Sequence, residues 1–175
     1  MKIIIDDNFL KPNHIEYINW INNGYGFPFY HKTKILHDSK DYNGFFEHII
    51  LKAGENKWNS NNHIFFEGIF DDFAKKHKIK YNKFFRASVN LTYNNGIHDK
   101  CPVHVDHTFP HKQLLVYLND PQDKNSKTII LNKKQNKILK EIEPKQFRGV
   151  MFNSLPHYHI MPKKGERIVF VITFE

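Results

Sequence analysis

Phe85-Arg86-Ala87-Ser88-Val89-Asn90-Leu91-Thr92-Tyr93 alternates without a break. Phe85, Ala87, Val89, Leu91 and Tyr93 fall on one side of an extended chain, and Arg86, Ser88, Asn90 and Thr92 on the other. A side-chain period of two marks a β-strand, because successive Cβ atoms point to opposite faces. Asn94-Asn95-Gly96 then closes the strand with residues suited to a turn. The chain reads differently on the two sides of this stretch.

Upstream, the apolar spacing is helical. Residues 2–5 read as an edge strand closed by Asp6 and Asp7. Pro12 suits a first helical position, and Ile15, Ile18 and Ile21 recur every three residues until Asn22-Asn23-Gly24. Residues 24–30 form a loop that packs its own rings, and residues 45–51 a strand ended by Ala53-Gly54. Ser60 or Asn61 caps a second helix reaching about Lys78, with Phe65, Ile69 and Phe73 along its apolar side. Lys75, Lys76 and Lys78 stand at its C-terminal end, where the helix dipole favours cations.

Downstream, short strands follow at close intervals: residues 103–106, 113–118, 127–131, 138–142, 149–152 and 167–174. Asn119-Asp120-Pro121 and Pro162-Lys163-Lys164-Gly165 are among the turns that divide them. Many short strands after two helices predict a mainly β fold, a double sheet with the N-terminal helices packed outside it. A length of 175 residues suits one domain, and 16 Phe with 8 Tyr supply the apolar area for its core.

The net charge of +8 is concentrated in the last third, where residues 121–175 hold eleven basic and five acidic side chains. Lys133, Lys134, Lys137 and Lys140 crowd together there, which keeps nucleic acid open as a partner without favouring it over a solvated loop. Cys101 is the only cysteine, which excludes an internal disulfide and suits a reducing compartment. The N-terminus lacks a signal-peptide pattern, and the apolar run 168–172 is far too short to cross a bilayer. A cytoplasmic protein without a membrane partner is expected.

Chemistry enters with Cys101-Pro102-Val103-His104-Val105-Asp106-His107 and with Leu155-Pro156-His157-Tyr158-His159. In a strand, His104 and Asp106 project from one face while Val103 and Val105 back them from the other. A second imidazole from the distant segment would complete two histidines and one carboxylate, the ligand set of a non-heme Fe(II) oxygenase. With 12 His in the chain other donors compete. His107 should point away from His104, His111 stays in contention, and His159 has the same parity as His157. His63, His77 and His98 have no ligand pattern around them and read as exposed.

Taken together, Tyr93-Asn94-Asn95-Gly96, His104-Val105-Asp106, Tyr117-Leu118-Asn119 and His157 with Arg167 ten residues later carry a resemblance. Across residues 85–174 the chain resembles the Fe(II)- and 2-oxoglutarate-dependent dioxygenases, in the compact prolyl-4-hydroxylase-like branch of bacteria and phages. The resemblance selects His157, since Gly165 and Arg167 follow it by eight and ten residues. It implies a double-stranded β-helix, or jelly roll, with a catalytic core of about 84–174 in a single domain 1–175. It implies Fe(II) on His104, Asp106 and His157, and 2-oxoglutarate with its distal carboxylate on Arg167, helped by Tyr93. A guanidinium fork matches a carboxylate in any case. Where the branch carries a Gly-Gly-Glu-Thr-like segment, this chain has Asn125-Ser126-Lys127-Thr128 and keeps the threonine, which becomes a further cosubstrate contact.

The implied reaction uses O₂ and converts 2-oxoglutarate to succinate while hydroxylating an unidentified substrate, a peptide, protein or small molecule, with peptidyl or free proline first. Phe27, Phe29, Tyr30 and Phe109 are candidates for the substrate mouth. Two other classes use the same residues differently. A non-catalytic metal-binding β-barrel would bind iron without consuming 2-oxoglutarate. A basic nucleic-acid-binding module would bind in a salt-dependent manner that a chelator leaves unchanged.

Overall fold

The computed structural model describes residues 3–24, 26–33, 44–55, 57–94 and 96–175. Lys2 of the first strand, Tyr25 of the aromatic loop and Asn95 of the turn lie outside the described residues. In chain order the elements are β1 (Ile4–Asp6), α1 (Pro12–Asn22), β2 (Tyr30–Lys32), β3 (Phe45–Leu51) and α2 (His63–Lys76). There follow β4 (Phe84–Tyr93), β5 (Lys112–Tyr117), β6 (Thr128–Leu131), β7 (Ile138–Ile142), β8 (Gly149–Asn153), β9 (His157–His159) and β10 (Glu166–Phe174).

The strands form two antiparallel sheets, a larger one in the order β1-β8-β5-β10-β4-β3-β2 and a smaller one in the order β7-β6-β9. Single bridges from Lys100 to Ile160 and from His104 to His157 lay the segment after β4 along the free side of β9. From β4 onward the chain therefore alternates: β4 in the large sheet, the 100–104 segment in the small one, β5 back in the large, β6 and β7 in the small, then β8, β9 and β10 in turn. Two facing sheets wound this way are a double-stranded β-helix, as the strand pattern and the resemblance had led us to expect.

Side-chain parity sorts the large sheet into two packed faces. Ala87, Val89, Leu114, Val116, Met151, Ile168, Phe170 and Ile172 pack outward against the helices, where Ile18, Ile21, Phe66, Ile69, Phe70 and Phe73 cover them. Leu115, Val150, Phe152, Val169 and Val171 pack inward with Ile130 and Ile142 of the small sheet. The strand β10 is covered on both sides, which is why its residues 168–172 read as one apolar run. The polar face of β4 is turned inward as well: Arg86, Asn90 and Thr92 line the cavity between the sheets.

Several local readings shift. In α2 the buried stripe is Phe66, Ile69, Phe70 and Phe73, while Phe65 is 38% exposed and stacks on Tyr17 with ring centroids 4.0 Å apart. In α1 the buried face is His14, Ile18 and Ile21, because His14 Nδ1 reaches Asp72 Oδ2 of α2 at 2.6 Å. No strand forms over 103–106: Pro102 has no N–H to donate, and the segment keeps one bridge, at His104. Consequently Val105 does not back the ligands but sits 36% exposed on the cavity wall. The lysine-rich stretch is the turn from β6 to β7, organised by Asn132, whose Oδ1 accepts from the N–H groups of Asn136 at 3.1 Å and Lys137 at 3.3 Å. Its Lys133, Lys134, Lys137 and Lys140 are all exposed. No helix among the described residues is long and apolar enough to cross a membrane.

Candidate metal centre

The bridge that holds the 100–104 segment also builds the centre. His104 N–H donates to His157 O at 3.0 Å, and His157 N–H donates to His104 O at 2.9 Å. The imidazoles are thereby brought together with ring centroids 4.5 Å apart. Asp106 enters from the bend two residues on, and one ligand atom from each of His104, Asp106 and His157 lies within 4.8 Å of the other two. These three could hold a metal ion, and they line a cavity of about 660 Å³ between the sheets.

Each donor is prepared for a cation. His104 Nδ1 is held on Pro102 O at 2.8 Å and His157 Nδ1 on Leu155 O at 3.0 Å, so each ring turns Nε2 toward the centre, where Gln113 Nε2 stands 3.5 Å from that of His157. Burial pushes the Asp106 carboxyl up, but the fields of Arg86, His157 and His104 outweigh it and hold the group at about 2. Burial pushes His157 down to about 4. At neutral pH the carboxylate is therefore ionised and the His157 imidazole neutral, the forms that bind metal. Arg86 Nη1 stands 3.5 Å from Asp106 Oδ1, whereas Asp106 Oδ2 is buried with no hydrogen-bond partner among the described residues. A buried carboxylate oxygen in that state needs a cation or a donor. Two imidazoles and one carboxylate with open space beside them fit Fe(II).

The distal end of the cavity is organised around Arg167. Its residue is only 2% exposed, its Nη2 donates to Thr128 Oγ1 at 2.8 Å, and its guanidinium carbon lies 5.2 Å from the centre of the Tyr117 ring. Tyr117 Oη and Thr128 Oγ1 are 2.7 Å apart, so the tyrosine fixes the threonine that fixes the arginine. Arg167 and Thr128 both line the cavity. Tyr93 does not: it shares the outward parity of Val89 and Leu91, and its ring meets Phe46 at 5.9 Å. The tyrosine beside Arg167 is Tyr117, from the quoted Tyr-Leu-Asn stretch, and the period of β5 could have placed it on the inward face with Gln113 and Leu115.

The competing histidines go elsewhere. His107 Nε2 pairs with Thr173 Oγ1 at 2.8 Å, and His111 Nδ1 with Phe109 O at 2.9 Å. His159 lies inside the cavity but outside the metal group, one strand repeat beyond His157. His63, His77 and His98 are half-buried instead of exposed, with His77 Nε2 2.7 Å from Asp6 Oδ2 and His63 stacked on Trp58. Of the aromatic residues expected at a substrate mouth, none lines the cavity. Phe27 is buried against Phe66, Phe29 packs beside it, Tyr30 is exposed at the sheet edge, and Phe109 stacks on His107. The cavity wall is mixed instead: β4, β3 and β2 contribute the polar Asn90, Glu47 and Lys32, and β3 adds the aromatic Phe45. Sequence reasoning missed Arg86 and Gln113, whose places follow from strand register.

Compared by sequence, the chain matches no protein-family model and no curated protein. Compared by structure, it is similar to an oxidoreductase of the 2OG-Fe(II) oxygenase family from Burkholderia pseudomallei, with TM-score 0.75 and 12% identity over 99% of this chain and 84% of that one. It is similar to a non-heme alpha ketoglutarate dependent epimerase, SnoN of nogalamycin biosynthesis, with TM-score 0.70 and 8% identity over 98% and 77%. A prolyl hydroxylase from Trichoplax adhaerens, solved with a hypoxia inducible factor peptide fragment, gives TM-score 0.69 and 16% identity over 98% and 82%. Identities this low speak for the fold, and the chemistry rests on the residues described above. The chain has the fold of the 2-oxoglutarate and Fe(II) oxygenases, and inside it a triad of two histidines and one carboxylate.

Proposed function

We propose that the protein is an Fe(II)- and 2-oxoglutarate-dependent dioxygenase of the prolyl-4-hydroxylase-like branch, hydroxylating an unidentified peptide, protein or small molecule. Peptidyl or free proline is the first candidate. The observation that carries the reading is the sharing of one cavity by a metal triad and, beyond it, a buried arginine set on Thr128. His104, Asp106 and His157 would hold the ion from one side. Arg167, steadied by Thr128 and Tyr117, would take the distal carboxylate of 2-oxoglutarate. Iron, 2-oxoglutarate and O₂ supply the oxidising chemistry, which gives succinate, CO₂ and the hydroxylated product.

The chain itself positions and shields. Leu115, Val169 and Val171 join Phe45 and Val105 in the apolar part of the cavity wall, which would limit water around the centre. Asn90, Glu47 and Lys32 make the polar wall a substrate would meet. The fold is shared with an epimerase, so the same scaffold hosts more than one oxidative outcome.

Succinate formation dependent on Fe(II), O₂ and 2-oxoglutarate is the expected result, abolished in Asp106→Ala and demanding far more 2-oxoglutarate in Arg167→Ala. Iron binding without any loss of 2-oxoglutarate would leave the non-catalytic metal barrel. Unchanged turnover in Asp106→Ala would refute the ligand assignment. A peptide library run against a metabolite panel, read by succinate release, then identifies the substrate class.

A further inference from the structure

The distal end of the cavity holds one polar group more than the Arg167 and Thr128 pair requires. His159 stands directly opposite Thr128 in the β6 and β9 ladder, and paired residues in an antiparallel ladder present their side chains on the same face. Its ring lines the cavity, and its Nε2 is buried with no hydrogen-bond partner among the described residues. The main chain fixes the ring's position from behind. His159 N–H donates to Cys101 Sγ at 3.1 Å, and His159 O accepts from Cys101 N–H at 3.0 Å. Arg167 is in a similar condition, with Nη2 engaged on Thr128 while Nε is buried and unpartnered.

Two buried nitrogens near one threonine thus lack a partner, and in the Nε2–H tautomer of His159 both are donors that need an acceptor. Each such group costs about 1–3 kcal/mol unless an acceptor is supplied. A carboxylate supplies about four lone-pair sites on two oxygens and can satisfy both at once. A water could serve one of them but would leave the guanidinium charge without a counterion.

We propose that His159 is a further binding residue for a dicarboxylic 2-oxo acid, donating from Nε2 to the same distal carboxylate that Arg167 holds. The proposal rests on the cosubstrate reading above and adds to it a residue that the four-residue set of ligands and arginine leaves out. It also accounts for a histidine with the parity of a metal ligand that joins no metal group. His157 pairs with Ile130 and His159 with Thr128, so the second ring sits one strand repeat toward Arg167. Two imidazoles two residues apart on one strand would then serve opposite ends of one bound acid.

The test is calorimetric and needs no turnover. Protein loaded with Mn(II) is titrated with 2-oxoglutarate and, separately, with 2-oxovalerate, which has the same carbon count and no distal carboxylate. His159→Leu should weaken 2-oxoglutarate binding about tenfold, the loss of one hydrogen bond to a charged group. His159→Gln, which restores an N–H donor, should return affinity to within about threefold of wild type. Binding of Mn(II) and of 2-oxovalerate should be the same in all three proteins. Equal 2-oxoglutarate affinity in wild type and His159→Leu would overturn the proposal, and so would an equal loss for both acids, which would mark a merely structural role. Absence of 2-oxoglutarate binding in wild type would instead overturn the cosubstrate reading itself.

Discussion

Arg167 should be a burden on the empty protein. It is 2% exposed, and its side-chain partners among the described residues, Thr128 Oγ1 at 2.8 Å and the Tyr117 ring at 5.2 Å, carry no negative charge. Burying an ion without a counterion costs several kcal/mol after relaxation. Its charge-assisted bond to Thr128 returns about 1.5–3 kcal/mol, and the contact with the tyrosine face about 0.5–2 kcal/mol. The two return about 2–5 kcal/mol together, so a desolvation cost at the upper end of several kcal/mol leaves about 1–3 kcal/mol against the fold. Arg167→Met removes the charge while a flexible thioether fills much of the space over Tyr117. Thr128 keeps Tyr117 Oη at 2.7 Å, so the substitution leaves no orphan behind.

The variant should therefore melt higher than wild type without ligand, by roughly 2–10 °C for a chain of this size. With metal present, 2-oxoglutarate at about 100 times its Kd should add about 2.7 kcal/mol to wild type and nothing to Arg167→Met. Thermal and urea unfolding of both proteins, with and without 2-oxoglutarate, measure all four states. A variant that melts lower than wild type yet keeps the ligand-induced shift would refute the reasoning, because it would make Arg167 a structural residue.

Asp7 clamps β1 to the β7 and β8 connection: Arg148 Nε and Nη2 reach its two oxygens at 2.7 and 2.9 Å, and Lys145 Nζ adds a contact at 2.8 Å. The Arg148 hydrogen bonds, with Lys145 behind them, hold this carboxyl at about 2 against an ordinary 3.8. A depressed acid stabilises the fold above its unfolded pKa and loses that contribution as pH falls through the folded value. Asp7→Asn should therefore lower stability by up to about 2 kcal/mol at pH 7, and the gap should close between about pH 4 and pH 2 in urea melts. Gly149→Ala would place a Cβ 2.7 Å from the Phe9 ring and 2.9 Å from the Phe73 ring, so a loss of about 1–3 kcal/mol is expected in the same assay. Asp106→Asn, similar in shape but uncharged, should weaken Mn(II) binding by more than about 100-fold in calorimetry; an affinity within a few-fold of wild type would remove Asp106 from the ligand set.

The sequence disclosed the fold where one periodicity governs a long stretch and concealed it where pairing is made at a distance. The alternation in β4, the apolar run of β10 and the proline at the first position of α1 are local properties, and each element stands where it was expected. The strand β9 is three residues long between Pro156 and Pro162, too short for a pattern to register. The helix α2 was expected with Phe65 inward because a spacing of four was followed, whereas the sheet takes the stripe at 66, 69, 70 and 73. At the centre, the short His-x-Asp pattern was legible because both residues belong to one segment. Its environment was not: Arg86 meets Asp106 from a strand twenty residues earlier, and Tyr117 replaces Tyr93 beside Arg167 because parity along β4 turns Tyr93 outward. The polar face of β4 would ordinarily be read as solvent-facing, and only the closing of the second sheet over it makes it an interior wall.

The paired main-chain bonds between His104 and His157 divide the labour at the centre unequally. The two imidazoles rise from a paired backbone and each is steadied by Nδ1 on a carbonyl, while Asp106 hangs from a bend with no ladder bond among the described residues. Divalent ions of different radius, from manganese to nickel, should therefore be accommodated by swinging the carboxylate alone, so exchanging one for another reshapes the oxygen side of the site and leaves the nitrogen side as it was.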